Sequence, residues 1–485
     1  PSAFGIGDLG PEAQRFASQL SRAGQRFWQL LPLNPTGAKE YYSPYSAYSV
    51  FAGNPILISP EVLVQKGLLT VKELADARLP MHSQVSYDEV SASKQKLLHA
   101  AFLRFIEGKR NSYQEGFERF MRTERDWLDD FAMYLLLKKQ QEGQPWYKWP
   151  DKLKLRDRQT LADLAKKYKV DLLELKWQQY EFFNEWKVLK AQCEALSIQL
   201  LGDLPIYVNY DSVDVWTNRH LFNLGENGNL RGVAGVPPDY FNAEGQLWGM
   251  PTFNWKAHEQ EKYAWWLTRF KKNLEWYHSI RLDHFRAFYD YWEVPASKEN
   301  AVEGTWKIGP REKLFKLVKE KLGAVALIAE DLGDISPGVY KLRDRLGLPG
   351  MRVLQFAFGE DAPYSLHIPH QYSINSVVYT GTHDNNTVVG WYQEELDRAG
   401  KDRLQYYQGH KVKGANIHEE MIRMAYASVA KLAIIPMQDV LGLGKEARMN
   451  TPATTGINWK WRLLDNQFRS KHIKWLRELA KTYAR

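Results

Sequence analysis

Short apolar or β-branched runs alternate with longer amphipathic stretches through most of the chain, and this alternation restricts the fold more than any other feature. It is the pattern of βα units around a parallel sheet. Seven runs read as strands: RFWQLLPL (26–33), SIQLLGDLPIYV (197–208), SIRLDHF (279–285), VALIAEDLG (325–333), MRVLQFAF (351–358), SVVYTGTHDN (376–385) and LAIIPMQDVLGL (432–443). Most end in a polar cluster that contains an acid. In a parallel barrel the strand C-termini all open on one face, which carries the chemistry. An open doubly wound sheet is the alternative, but no Gly-rich phosphate fingerprint follows an early strand, so the barrel is preferred. A chain of 485 residues that is 44% apolar can bury the core this requires.

The first two strand runs are separated by residues 61–194, too long for a simple connection. LLHAAFLRFIEG, WLDDFAMYLLLKK and the series Trp177, Tyr180, Phe183, Trp186, Leu189, Cys193, Leu196 repeat at helical spacing. The expected organisation is a catalytic barrel from 1–60 and 195–485, interrupted by a helical subdomain at 61–194.

The formal charge of +8 comes from dispersed lysines and arginines that read as solvated helix faces, not from a dense block that would track phosphates, so no nucleic acid is expected. A single cysteine, Cys193, allows no internal disulfide and fits a reducing compartment. No apolar run has the length of a membrane span, and no signal peptide is recognised. Several of the 18 Trp and 26 Tyr fall in Gly/Pro-rich stretches such as AGVPPDYFNAEGQLWGMPTFNW, read here as a loop. There their flat apolar faces suit stacking on sugar rings or bases.

The acids at the strand ends suggest the chemistry. Strand periodicity puts Arg281 and Asp283 on one face, with Leu282 opposite. A guanidinium beside a carboxylate favours its ionised form, so Asp283 is expected to be an anion, as a nucleophile must be. Glu330 and Asp331 must point to opposite faces, so only one faces the barrel mouth; the apolar residues before Glu330 favour a raised pKa there. TGTHDN adds Asp384 beside His383, and LLGDLPIYV adds Asp203. One ionised and one protonated carboxylate flanking a bond is the apparatus of glycoside cleavage. No metal site is expected: HExxH is absent, and His367 and His370 in LHIPHQY have no third ligand nearby. A GxSxG elbow is absent as well.

RLDHFR, IAEDLG and GTHDN, with GDLPIYV before them, resemble the motifs of the 4-α-glucanotransferases, the amylomaltases or disproportionating enzymes of glycoside hydrolase family 77, relatives of the α-amylase barrel enzymes. FGIGDLG, LPLNPTG, YSPYSAYSVFAGNP, the stretch from Ala234 to Trp255 and DVLGLGKEARMNTPATTGINWKWR extend the resemblance over nearly the whole chain. It implies a (β/α)8, TIM-type barrel with large, mainly helical insertions. It implies Asp283 as nucleophile, Glu330 as general acid/base and Asp384 as transition-state stabiliser. Arg281, His383, Asp203, Gln246, Trp248, Tyr240 and Asn450 would contact substrate or border the site.

The expected activity is transfer of α-1,4-glucan segments between maltooligosaccharides, or starch- or glycogen-derived glucans, without a cofactor. The expected compartment is the cytoplasm, or the plastid in a plant. A hydrolase of the same substrates and a silent glucan-binding protein remain open alternatives, as does the oligomeric state. One departure stands out. The resemblance implies a first strand ahead of GIGDLG, where only PSAF stands. The RFWQLLPL strand is then expected to show an unpaired edge toward LAIIPMQDVLGL.

Overall fold

The structure, a computed structural model, describes residues 1–108, 111–238 and 243–485. Its strands are, in chain order, β1 (Phe27–Gln29), β2 (Gln199–Leu204), β3 (Gly232–Val236), β4 (Gln246–Pro251), β5 (Ser279–Leu282), β6 (Asp290–Pro295), β7 (Thr305–Ile308), β8 (Leu327–Ala329), β9 (Gly350–Val353), β10 (Ser376–Tyr379) and β11 (Leu432–Ile434). All seven expected strand runs contribute one strand each to a parallel sheet of order β1-β2-β5-β8-β9-β10-β11. The strands are shorter than the runs that signalled them; β5, β8 and β10 end before the polar residues of their runs, which line the barrel mouth.

Alternation along these strands builds two layers of core. Leu201, Ile328, Met351, Val353, Val377 and Tyr379 meet inside the barrel. Residues of the opposite parity, such as Leu200, Ile280, Leu282 and Ala329, pack outward against helices. The longest helix, Lys169–Ala195, buries Trp177, Tyr180, Trp186, Leu189 and Cys193 and delivers the chain to β2.

The sheet is a nearly closed barrel. Among the described residues β1 pairs only with β2, and β11 only with β10. A cavity of about 300 Å³ lies between these two edges, lined by Phe27, Trp28 and Gln29 from one and Ala433 and Ile434 from the other. The unpaired edge expected of the RFWQLLPL strand is therefore present. β1 and β11 are also the barrel strands that are only half-buried throughout.

The stretch from Gly232 to Trp255, expected to be a loop, carries two strands among its described residues. β3 and β4 form an antiparallel pair that continues through β6 and β7 into a second, four-stranded sheet of order β4-β3-β6-β7. Glycine and proline lower strand propensity, which hid these strands. Here glycine is required by close approach: a Cβ on Gly235 would lie 2.4 Å from the Gln246 carbonyl oxygen, next to a shift in register.

Candidate active site

β5 and β8 are neighbours in the sheet, with Leu282 paired to Ala329. The next residue on each strand is an acid, Asp283 and Glu330, so the ladder itself sets the two side by side at the barrel mouth. Cross-bonds continue past the strand ends: the Asp283 amide donates to the Leu204 carbonyl, the Glu330 amide to Leu282 and the Phe285 amide to Glu330. His284 takes a left-handed conformation at φ 49°, unfavourable for a residue with a Cβ. That turn aims its amide at Glu330 Oε2, at 2.7 Å. Oε1 accepts the Leu332 amide at 2.9 Å. Asp331 points away, taking the Met351 amide and Arg343.

The acids open into a cleft of about 1360 Å³, whose wall also includes Gln246, Trp248, Arg281, His383, Asp384 and Asn450. Asn450 Nδ2 donates to Asp384 Oδ1 at 2.6 Å, and Arg448 Nη2 donates to the Asp384 carbonyl at 2.9 Å. Trp248 donates its Nε1 hydrogen to Gln246 Oε1 at 3.1 Å and meets the His284 ring edge-on at 4.9 Å. His383 stacks on Tyr45.

Asp203 is not brought to the cleft. Its side chain has no exposed surface and lies behind Arg281, whose Nη1 donates to both of its oxygens at 2.7 and 2.8 Å, while the Tyr45 hydroxyl donates to Oδ2. Tyr240 lies outside the described residues. Tyr45, Trp459, Phe356 and Arg448 were not singled out from the sequence, although all but Arg448 line the cleft. Tyr45, Trp459 and Arg448 sit in motifs that carry the family resemblance, but nothing in their spacing marks them as site residues.

The electrostatics correct one expectation. Arg281 does contact Asp283, Nη1 to Oδ1 at 3.0 Å, but the same nitrogen serves Asp203. One guanidinium shared by two carboxylates does not offset burial and the charges of Asp203, Glu330 and Asp384, so Asp283 is pushed well above the usual carboxylate range. Burial raises Glu330 as well, opposed by Arg281 and the two backbone amides. Both carboxyls of the pair are thus pushed toward their protonated forms. Burial also lowers His383, and lowers His284 to about 4, so both imidazoles are neutral.

A parallel barrel whose strand ends present buried carboxylates to an aromatic-lined cleft has the layout of an enzyme that cleaves glycosidic bonds. A family model described as 4-alpha-glucanotransferase, glycoside hydrolase family 77, matches residues 1–467. The chain is 42% identical to the 4-alpha-glucanotransferase of Thermus thermophilus over 493 aligned positions, covering 100% of this chain and 97% of the relative. It is 41% identical to the chloroplastic/amyloplastic 4-alpha-glucanotransferase of Solanum tuberosum, covering 100% of this chain and 84% of that protein. The amylomaltase of Streptococcus agalactiae, solved in complex with acarbose, superposes with a TM-score of 0.96 at 33% identity, covering 100% of this chain and 97% of that one. The chain belongs to the 4-alpha-glucanotransferase family, and it is an enzyme of that activity. Among the described residues no helix is long and apolar enough to cross a membrane.

Proposed function

We propose that the chain transfers α-1,4-glucan segments between maltooligosaccharides by double displacement through a covalent glycosyl-Asp283, with retention of configuration. The observation that carries this is the paired register Leu282–Ala329, which puts the two following acids on adjacent strands. Adjacent strands lie about 4.8 Å apart. That spacing fits the retaining class, whose carboxyls stand about 5–5.5 Å apart, better than the inverting class at roughly 6.5–9.5 Å.

In the productive form a proton sits on Glu330, and Arg281 compensates the charge on Asp283. Glu330 protonates the departing glycosidic oxygen while Asp283 attacks the anomeric carbon. Glu330 then takes the proton of an incoming 4-hydroxyl, which displaces Asp283. Asp384, half-exposed and oriented by Asn450, faces the same cleft and is suited to stabilising positive charge on the ring. Every step is proton transfer or displacement, so no cofactor enters. The substrates are maltooligosaccharides and the glucans of starch or glycogen; the acarbose held by the S. agalactiae relative supports an α-glucan in this cleft. The compartment is the cytoplasm, or the plastid in a plant, as the name of the potato relative suggests.

A Glu330→Gln variant given maltosyl fluoride, whose leaving group needs no acid, should accumulate a maltosyl adduct on Asp283, located by peptide mass spectrometry. Unaltered protein given maltotriose should produce longer oligomers. No adduct, or a product of inverted configuration, would overturn the mechanism; maltose and glucose as sole products would make the enzyme a hydrolase.

A further inference from the structure

Two elements of the cleft wall each run outward to an exposed tyrosine. Arg403, which lines the cleft, lies on the helix Arg398–Gln408, and Tyr407 stands on the same face one turn further along. Glu360, also on the wall, is followed by a tight turn in which the Tyr364 amide donates to the Asp361 carbonyl. Tyr364 is 83% exposed and Tyr407 38%.

His370 links Tyr407 to the backbone beside Tyr364. His370 places Nδ1 3.3 Å from the Tyr407 hydroxyl and Nε2 3.1 Å from the carbonyl of Pro363, the residue before Tyr364. The Tyr407 ring also packs edge-on against Phe358, another residue of the cleft wall, at 6.0 Å, and Arg403 Nε donates to the Phe358 carbonyl. The ledge is therefore fixed in place, continuous with the cleft, and presents aromatic faces with polar edges.

We propose that Tyr364 and Tyr407, on two segments that His370 bridges, form an outer platform for an α-1,4-glucan chain that runs out of the cleft past Phe356 and Phe358. This rests on the glucanotransferase reading and extends it: the platform is reached only by chains longer than those the cleft contains, so it favours long glucans over short ones. An aromatic ring accepts the apolar face of a sugar, and the neighbouring hydroxyl and imidazole offer hydrogen bonds to its rim. Continuity with the cleft favours the same polymer over an unrelated partner.

Tyr364→Ala and the double variant Tyr364→Ala/Tyr407→Ala test this with two readouts. KM for long-chain amylose should rise about five- to tenfold relative to KM for maltotriose, an effect of the size expected for one or two lost stacking contacts. Carried on a Glu330→Gln background, the same changes should abolish most of the retardation in native gels containing amylopectin. The exposed Tyr364 can be replaced without disturbing the core, so the single variant stays informative if the double one unfolds. An unchanged KM ratio with unchanged retardation would overturn the platform. So would a concentration-dependent dimer dispersed by Tyr364→Ala with glucan affinity intact, which would make the ledge a self-association face. Failure of the underlying reading has a separate sign, the absence of maltotriose turnover by unaltered protein, because gel retardation reads the ledge without catalysis.

Discussion

Asp283 and Glu330 stand directly after strands that are paired on both sides and wholly buried, whereas Asp384 stands five residues beyond β10, next to the strand whose outer edge is unpaired. The first two acids are placed by backbone: register, cross-strand amides and the His284 turn. The third is placed by side chains. Arg448 and Asn450 grip it from the segment after β11, the Asn450 amide holds the His383 carbonyl, and buried Asp439 takes the Thr380 hydroxyl at 2.6 Å and the Val388 amide at 2.8 Å, one at each end of the loop. A strand end fixes the next residue for nothing more than the ladder's own bonds. A residue further out needs dedicated clamps, and these clamps come from the side of the barrel that the sheet leaves open.

The largest effect expected from breaking this contrast is at Arg448. It donates Nε to the Asn450 carbonyl, Nη2 to the Asp384 carbonyl and Nη1 to Glu395. Removing all three in Arg448→Ala should lower kcat by roughly 10²-fold, the cost of a displacement of about 1 Å at a reacting centre, and Arg448→Lys should restore only part of it. The matched change beside Glu330 is Arg343→Ala, which strips a cation from buried Asp331. That variant should lose stability while the folded enzyme keeps its kcat, because the ladder still places Glu330. Kinetics and thermal unfolding on both proteins check this; equal kcat losses would erase the distinction between the two kinds of support.

Asp439 sharpens the same contrast through pH. Burial without a compensating cation raises its pKa to about 6, against about 3.9 in an unfolded chain. Between these values the folded protein holds a proton that the unfolded chain has lost. The stabilisation from protonated Asp439 is thus complete below about pH 4 and is lost as pH rises through about 6. The stability difference between the unaltered protein and Asp439→Asn should fall by roughly 2–3 kcal/mol from pH 4 to pH 7. Denaturant unfolding at a series of pH values measures it, and a difference independent of pH would show that the carboxylate ionises freely.

The same division decided what could be read from sequence. The seven barrel strands and the strand-end acids were legible because apolar periodicity and the next residue are local signals, and the ladder then does the placing. Clamps such as Arg448 were not, since their partners lie far along the chain and an arginine in a loop has no period. The setting of Asp283 was only half legible for a related reason: the Arg281 alternation is local, but its competitor Asp203 comes from another strand, paired through Asp203–Arg281 in the β2–β5 register. The second sheet escaped notice because its glycines, the very residues that let β3 and β4 approach, are those that argue against strand.

The smallest expected effect is at the rim, and it asks whether position or preference is at stake there. Trp248 belongs to β4, so it stands on a sheet, not on the loop that its glycine-rich surroundings suggested. It packs edge-on against both Tyr207 and His284, the latter adjacent to Asp283. A fixed indole at that place can hold an acceptor sugar in the cleft and keep water out, which matters because water competes at about 55 M. Trp248→Ala should therefore lower transfer more than hydrolysis, shifting the ratio of the two by about five- to tenfold, in line with the loss of one aromatic contact of about 1 kcal/mol. Product analysis with maltotriose separates them, since transfer gives longer oligomers and hydrolysis does not. Because the residue is held by the second sheet, which does not place the acids, kcat for hydrolysis should move little. If transfer and hydrolysis fell by the same factor, Trp248 would be supporting the His284 turn, and through it Glu330, and the rim would share the task that this comparison gives to the strands alone.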